Sequence, residues 1–369
     1  MILRKVKVGI VGCGNISSIY FENLNGTFVN TEVYACSDLD KERAEQAAEK
    51  YGVPHVWTTE ELLASEEVEI VVNLTTPNFH FDVCKQALLA GKHVYVEKPL
   101  SLSLENGTEL VRLAKEKNLF LGCAPDTFLG GGLQTCSKLI ADGYIGEPVA
   151  ATAFMLCHGH ESWHPDPEFY YKAGGGPMFD MGPYYLTALV SLLGPAKTVC
   201  GITKTSFPQR TITSEKKFGK VIDVEVPTHV AGTIEFSSGA VATMITSFDT
   251  WHSTLPRIEI YGSQGTLIVP DPNNFGGPIL LRPAHSPEFQ EIPLIYNYAD
   301  NSRGIGVADM ARCIDTGETP RANGELANHV LEIMHAFHTS SDSKRYAELV
   351  TSCEQPKPLP LGLVKGYLG

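Results

Sequence analysis

The first third of the chain alternates between two hydrophobic patterns. Short continuous apolar runs, typical of buried strands, are separated by stretches whose apolar residues recur three and four positions apart, as on one face of a helix. The pattern predicts strands at 5–11, 32–37, 68–74, 93–96 and 119–123, with helices between them at 15–24, 41–51, 78–90 and 104–117. Such alternation predicts a doubly wound parallel sheet, an α/β arrangement with helices on both faces.

The pattern changes after residue 124. A helix is predicted at 132–142, a strand at 148–157 and a second helix at 178–193. From about residue 197 to 292 the chain reads mostly as strands joined by short turns, and two helices follow near 304–316 and 323–340. Strands grouped in this way predict an α+β domain with a large, mostly antiparallel open sheet. We therefore expect two domains, 1–124 and 125–369.

Composition narrows the classes of partner. The chain of 369 residues is 43% hydrophobic, which is enough to form sizeable cores. Its net charge of −13 argues against a nucleic-acid or anionic-membrane partner, because phosphate groups attract a basic surface. No stretch approaches the length of a membrane span, and the first strand leaves no room for a signal peptide.

Cysteine usage and the open sheet give two further expectations. The nine cysteines are scattered, are odd in number and form no Cys-x-x-Cys pair, so we expect a reduced, cytoplasmic protein. A broad open sheet needs a cover for its second face. A second subunit is a natural cover, which predicts a homodimer or homotetramer.

A glycine-rich turn follows the first predicted strand, with the sequence Gly12-Cys13-Gly14-Asn15-Ile16-Ser17. Gly12 allows a tight turn, and Gly14 lets the backbone approach a pyrophosphate at the start of a helix. Asp38 ends the second strand and is placed to bind a ribose 2′-hydroxyl, which favours NAD over NADP. The alternative role for Asp38 is to cap the next helix, although Asp40 is better placed to do so.

Two other strands of the first domain end in polar residues, where ligands of such sheets bind. After the strand at 68–74 come Thr75, Thr76, Pro77, Asn78 and His80, which either contact the cofactor or form a helix cap followed by a surface histidine. Glu97-Lys98-Pro99 follows the strand at 93–96. Pro99 restricts Lys98 to extended conformations, which aims the lysine into the cleft for proton transfer. The alternative is an ion pair between Glu97 and Lys98.

The second domain offers three candidate groups. Gly174, Gly175 and Gly176 precede a helix on which Asp180 and Tyr184 share one face, so both can bind a substrate hydroxyl; the alternative is a first-turn acid and a core tyrosine. His158, His160, Trp163 and His164 fit no zinc motif, so we expect no metal. They form a substrate rim, a plain surface loop or, least favoured, a metal site. Asp126 faces the cleft or caps a turn.

Taken together and in their order along the chain, these motifs resemble those of the Gfo/Idh/MocA family of oxidoreductases. The resemblance extends over essentially the whole chain. The resemblance implies a Rossmann domain at 1–124 and a substrate-binding and oligomerisation domain at 125–369. The family's lysine and aspartate fall on Lys98 and Asp180. Many members carry a histidine where this chain has Tyr184. Three proton carriers therefore stay open: Tyr184 with a lowered pKa, Lys98 with Asp180, or one of the loop histidines.

The resemblance also implies a reaction and a set of binding residues. The reaction is hydride transfer between NAD and a secondary hydroxyl of a sugar, cyclitol or glycoside. Alternatives are a lyase or glycosidase that uses bound NAD transiently, and a sensing protein without turnover. The expected cofactor-binding residues are Gly12, Gly14, Asn15, Ile16, Asp38, Thr75, Thr76, Pro77, Asn78, His80, Glu97 and Lys98; the expected catalytic residues are Lys98, Asp180 and Tyr184; and the expected substrate residues are Asp126, His158, His160, Trp163 and His164.

Overall fold

A computed structural model describes residues 4–369. Within them, the strands are β1 (Val6–Val11), β2 (Thr31–Ser37), β3 (His55–Val56), β4 (Ile70–Asn73), β5 (His93–Val96), β6 (Leu121–Cys123), β7 (Pro148–Leu156), β8 (Ala196–Lys204), β9 (Gln209–Thr211), β10 (Val221–Asp223), β11 (His229–Phe236), β12 (Val241–Ser247), β13 (Ile258–Gly262), β14 (Gly265–Val269), β15 (Ile279–Pro283), β16 (Gln290–Ile292) and β17 (Ala347–Glu348). The α-helices are α1 (Ser17–Glu22), α2 (Lys41–Tyr51), α3 (Thr59–Ala64), α4 (Pro77–Leu89), α5 (Leu104–Lys117), α6 (Gly131–Ala141), α7 (Gly176–Leu193), α8 (Ile305–Thr316) and α9 (Gly324–Ser343).

The first sheet is parallel, as the alternating pattern predicts, with strand order β3-β2-β1-β4-β5-β6. The sequence prediction lacked β3 and α3, which are too short to show a hydrophobic period; α3 begins at a capping box between Thr58 and Glu61. Val11, Asn73 and Val96 lie side by side at the carboxyl ends of β1, β4 and β5. The loops that follow these strands therefore meet at one edge of the sheet.

The second sheet has the order β16-β15-β14-β13-β7-β12-β11-β8-β17. Its neighbouring strands are antiparallel except for the parallel pair β7 and β12, so the expected mostly antiparallel sheet is confirmed. Helices α7 and α9 pack on one face. The opposite face is open and carries apolar side chains such as Val149, Ile202 and Val241, which are 53%, 69% and 45% exposed.

The last helices join the two sheets. Helix α9 packs against both α5 and β8, and the amide of Cys123 in β6 donates to the carbonyl of Ala322, 3.1 Å away. These contacts link residues about 200 positions apart, beyond the reach of a local pattern. The division at residue 124 stays a prediction, although each sheet lies on one side of it. Across residues 4–369, no helix is both long enough and apolar enough to span a bilayer.

Candidate active site

The glycine turn after β1 has the geometry of a phosphate-binding loop. Gly12 has a φ of +99°, and a Cβ there would lie 2.8 Å from the carbonyl carbon of Leu74, so a larger residue does not fit. In contrast, a Cβ on Gly14 would meet no atom within 4 Å. Ser17 is buried and its Oγ donates to the carbonyl of Gly14 at 2.7 Å. The loop is thus packed against Leu74 at Gly12 and open at Gly14.

Asp38 is tied to this loop. Its Oδ2 accepts from the amide of Cys13 at 2.7 Å, and its Oδ1 accepts from the amide of Asp40 at 2.9 Å. Asp40, as expected, is the residue that caps α2, through the amide of Arg43. The alternative role of Asp38 as the helix cap is therefore wrong. Arg43, which the sequence prediction did not include, lies 3.5 Å from Oδ1 of Asp38.

A cavity of about 300 Å³ opens in front of the loop. Five predicted cofactor-binding residues line it, namely Gly12, Gly14, Asp38, Thr75 and Thr76. Thr76 makes no capping hydrogen bond to α4, so its hydroxyl is not used by the helix. Asn15, Ile16 and Asn78 are exposed. The open space at Gly14, the carboxylate and the apolar walls formed by Leu39, Phe79 and Val83 fit a dinucleotide.

His80 and Glu97 hold the neighbouring loops together. The ring of His80 is fully buried, and its nitrogens lie 2.7 Å from the carbonyl of Pro99 and 3.0 Å from that of Thr75. Burial lowers the pKa of His80. It thus positions two loops from beneath and is not the surface histidine of the capping alternative. Oε1 of Glu97 accepts from the Tyr20 hydroxyl at 2.8 Å, and Oε2 accepts from the amide of Lys98.

Lys98 pairs with Asp180 from the second domain. Its Nζ donates to the carbonyl oxygen of Asp180 at 2.6 Å and to Oδ1 at 3.0 Å, so the alternative of a Glu97–Lys98 ion pair is wrong. The two side chains are 19% and 15% exposed. Burial opposes both charges, but their attraction raises the pKa of Lys98 and, with His160, holds the pKa of Asp180 at about 2. Both groups are therefore charged at neutral pH.

Only one of the three loop histidines contacts this pair. Nε2 of His160 lies 3.0 Å from Oδ2 of Asp180, opposite the oxygen that Lys98 contacts. His158 stacks on Trp251, with ring centres 3.4 Å apart. Nδ1 of His164 accepts from the amide of Asp166 at 3.0 Å, and burial lowers the pKa of both His158 and His164.

Aromatic side chains surround His160. The ring centre of Tyr170 lies 4.0 Å away, that of Phe248 4.7 Å and that of Trp163 5.2 Å. Trp163 itself is 62% exposed. The histidine is therefore held in an aromatic environment at the edge of which an indole faces solvent.

Tyr184 lies one turn after Asp180 on α7 and is buried. Burial raises the pKa of its phenol, against the opposing effect of the Lys98 ammonium and of Arg303. The direction of this pKa shift is opposite to the one that would make Tyr184 a base at neutral pH. Arg303, which no local pattern indicated, comes from the loop before α8.

Asp126 and the three glycines do not offer ligand contacts. Asp126 is 1% exposed, and its Oδ2 accepts from the amides of Gly304 and Gly306 at 2.9 and 3.0 Å, so it caps the start of α8. Burial raises its pKa to about 6. A Cβ on Gly175 would lie 2.6 Å from the carbonyl oxygens of Phe169 and Tyr170. Gly175 thus allows the chain to pack closely against itself.

Comparison with known families agrees with this geometry. Residues 6–124 match the family described as "Oxidoreductase family, NAD-binding Rossmann fold", and residues 133–268 match the "GFO/IDH/MocA C-terminal domain". The chain belongs to the GFO/IDH/MocA family. The motifs at residues 12–17, 97–99 and 174–180 had already indicated this membership.

Similar proteins cover most of this GFO/IDH/MocA chain. A myo-inositol 2-dehydrogenase of Thermotoga maritima is 23% identical over 348 residues, which are 93% of this chain and 98% of that protein. A 1,5-anhydro-D-fructose reductase of Ensifer adhaerens is 30% identical over 244 residues, 64% of this chain and 68% of that protein. An NAD binding oxidoreductase of Klebsiella pneumoniae has the same fold, with a TM-score of 0.82 at 21% identity over 94% of this chain and all of that one.

Proposed function

We propose that this protein is an NAD-dependent oxidoreductase that acts on a secondary hydroxyl of a sugar, cyclitol or glycoside. The main observation behind this proposal is the Lys98–Asp180 pair at the carboxyl end of β5. This end lies on the edge of the sheet that also holds the glycine loop. The family supplies the class of chemistry. The names of two relatives, an inositol dehydrogenase and an anhydrofructose reductase, indicate the class of substrate.

We infer that the cofactor is NAD, held by the loop at Gly12 and Gly14 and by Asp38. When bound, the nicotinamide supplies the acceptor for a hydride. Asp38 lines the cavity, and its carboxylate is suited to accept from ribose hydroxyls and to repel a 2′-phosphate. Arg43, the nearby cation, is paired with Asp38 and Asp40. The preference for NAD therefore rests on the carboxylate of Asp38.

The substrate side of the cleft suits a polyol. The Lys98 ammonium is placed to donate to a hydroxyl oxygen, and the Tyr184 phenol offers a second polar contact. The exposed indole of Trp163 can contact the apolar face of a sugar ring close to His160. These contacts support a carbohydrate or cyclitol substrate.

An assay with NAD and a panel of sugars, cyclitols and glycosides tests the function, with NADH absorbance and product analysis as readouts. We expect NADH to form with at least one polyol. Lys98→Ala should lower turnover by about 10²–10³-fold with NADH affinity nearly unchanged, because the ammonium donates to the reacting oxygen and one such donor contributes about that much. Lys115→Ala, at an exposed lysine of α5, is the control.

Each other result has a distinct meaning. Normal turnover by Lys98→Ala would overturn the role of Lys98. Products formed without net NADH, but only by the NAD-loaded protein, would indicate a lyase or glycosidase. Cofactor binding without any turnover across the panel would indicate a sensing protein.

We also propose a cytoplasmic homodimer or homotetramer. The nine cysteines are unpaired in the structure of residues 4–369, which suits a reducing compartment. The open face of the second sheet carries exposed Val149, Ile202 and Val241, and a second copy would cover it. Light scattering of the wild type and of Ile202→Asp tests this: a wild-type monomer, or an unchanged mass in the variant, would contradict it.

A further inference from the structure

We propose that His160 accepts the substrate's hydroxyl proton and so fills the role of the histidine that this chain lacks at position 184. This inference rests on the proposed function. In the step, the O–H bond breaks and its proton goes to Nδ1 of His160, because Nε2 donates to Asp180. The C–H bond of the same carbon breaks as hydride leaves to the bound cofactor, and the electron pair of the O–H bond forms the ketone.

The other polar groups at the site are poorly suited to accept this proton. Lys98 is already an ammonium, Tyr184 remains a neutral phenol, and the carboxylate of Asp180 is a weak base. An imidazole is the side chain whose ordinary pKa lies nearest neutrality, as a general base requires. His160 is the one histidine of its loop that contacts Asp180.

The geometry places the donor and the acceptor on one carboxylate. Lys98 contacts Oδ1 of Asp180 and His160 contacts Oδ2, each at 3.0 Å. In the proposed pose, the substrate hydroxyl accepts from the Lys98 ammonium and donates to the imidazole. Asp180 orients the ring and stabilises the imidazolium that forms, which is the arrangement of a base held by a third group.

A buried ionic network fixes the loop that carries His160. The next residue, Glu161, accepts from Arg210 at 2.7 Å, and Arg210 also contacts Asp249 and the carbonyl of Phe248. The carbonyl of Glu161 accepts from the amides of Thr213 and Ser214, both at 2.9 Å. The Arg210 side chain is 5% exposed. His160 thus lies on an irregular segment that buried hydrogen bonds and ion pairs hold in place.

The charged and titratable groups around His160 influence its protonation and therefore the choice of a control variant. They are Asp180 on α7, with Lys98 beyond it, Tyr170 from the segment before α7, and His164 from the same loop. Burial raises the pKa of Tyr170 to about 12, so it stays neutral. His164 also titrates, so the control histidine must lie outside this loop.

The kinetic test compares His160→Ala and His160→Asn with the wild type on a substrate that the wild type oxidises. We expect kcat to fall about 10²–10⁴-fold, the acidic limb of the kcat profile to disappear, and NADH affinity to stay within about twofold. Added imidazole should restore part of the activity of His160→Ala. His285→Ala, at an exposed histidine outside the site, should retain the wild-type kcat and pH profile.

Returning the histidine to α7 is a sharper test. In the His160→Ala background, Tyr184→His places an imidazole one turn after Asp180, and we expect turnover to rise above that of His160→Ala alone. Wild-type kcat in His160→Ala would overturn the role of His160. So would a failure of both imidazole and Tyr184→His to restore any activity in a variant that melts at the wild-type temperature.

A measurement that needs no turnover separates this inference from the proposed function. In the protein without cofactor, ¹⁵N-histidine NMR follows the His160 ring, which is assigned from its loss in His160→Asn. Asp180→Asn should shift its titration or tautomer, whereas Asp166→Asn, beside His164, should not. A His160 signal that is indifferent to Asp180→Asn would overturn the proposal. If no polyol is oxidised by the wild type, the proposed function fails whatever this signal does.

Discussion

The Nζ atom of Lys98 lies 5.4 Å from the centre of the Tyr184 ring. A cation at this distance over an aromatic face is attracted by the ring quadrupole. Tyr184 therefore supports the ammonium through its ring, whatever its hydroxyl does. This relation gives Tyr184 a role that does not depend on its hydroxyl.

Tyr184→Phe should therefore have a small effect. The ring and its attraction for Lys98 remain, so we expect kcat to fall less than about tenfold with the pH profile unchanged, since the hydroxyl is not the proton acceptor. Steady-state kinetics over a range of pH checks this, with Tyr184→Ala as the variant that also removes the ring. A hundredfold loss in Tyr184→Phe, with a displaced pH profile, would instead make the hydroxyl part of the chemistry.

Asp38→Ala should weaken NAD binding and reduce the preference over NADP. The variant loses both the ribose acceptor and the contact with the amide of Cys13. We expect the Kd for NADH to rise about tenfold or more and that for NADPH to change less, because charge repulsion is removed as well. Fluorescence titration measures both constants.

Asp40→Ala is the matched control for that experiment. It removes the cap of α2, which should lower stability by about 1 kcal/mol with little effect on the Kd for NADH. An unchanged NADH-to-NADPH ratio in Asp38→Ala would remove Asp38 from the recognition of the cofactor.

Arg210→Met should destabilise the protein by about 3–5 kcal/mol, because it leaves Glu161 and Asp249 buried without their cation. The loss should appear as a lower melting temperature together with lower kcat, since His160 follows Glu161 directly. Adding Glu161→Gln and Asp249→Asn removes the unpaired charges and should recover part of the stability. Full stability in Arg210→Met alone would show that the network is not needed.

Asp126→Asn should stabilise the protein more at neutral pH than at acidic pH. The pKa of Asp126 is raised from 3.8 to about 6 in the folded protein, so the folded state keeps this proton when the unfolded state loses it. The contribution of Asp126 to the stability of the wild type is therefore fully present below pH 3.8. It is lost as the pH rises through about 6, which lowers the free energy of unfolding by up to about 3 kcal/mol. The asparagine cannot ionise, and its amide oxygen still accepts from Gly304 and Gly306.

Melting temperatures of both proteins at about pH 4 and about pH 7 measure this effect. The advantage of the variant should grow with pH. The same difference at the two pH values would mean that Asp126 does not carry a raised pKa.

Local sequence was sufficient for much of the fold. The hydrophobic runs predicted the long elements of both sheets, and helix α2 begins at its Asp40 cap as expected. The prediction lacked β3 and α3 and ended α9 early, because short elements and helix ends leave little periodic signal. Which helices bridge the two sheets was also beyond a local pattern, since those contacts join residues far apart in the chain.

The sequence by itself determined the nucleotide-binding turn, the lysine at a strand end and the aspartate on a helix, because each depends on residue types at fixed local spacing. Only the tertiary structure decided that Lys98 and His160 share Asp180, that His80 and Asp126 lie in the interior, and that burial leaves Tyr184 a neutral phenol. Those outcomes depend on desolvation and on long-range partners 19 to 180 residues away. Neither the desolvation of a side chain nor its distant partners can be inferred from the neighbouring residues.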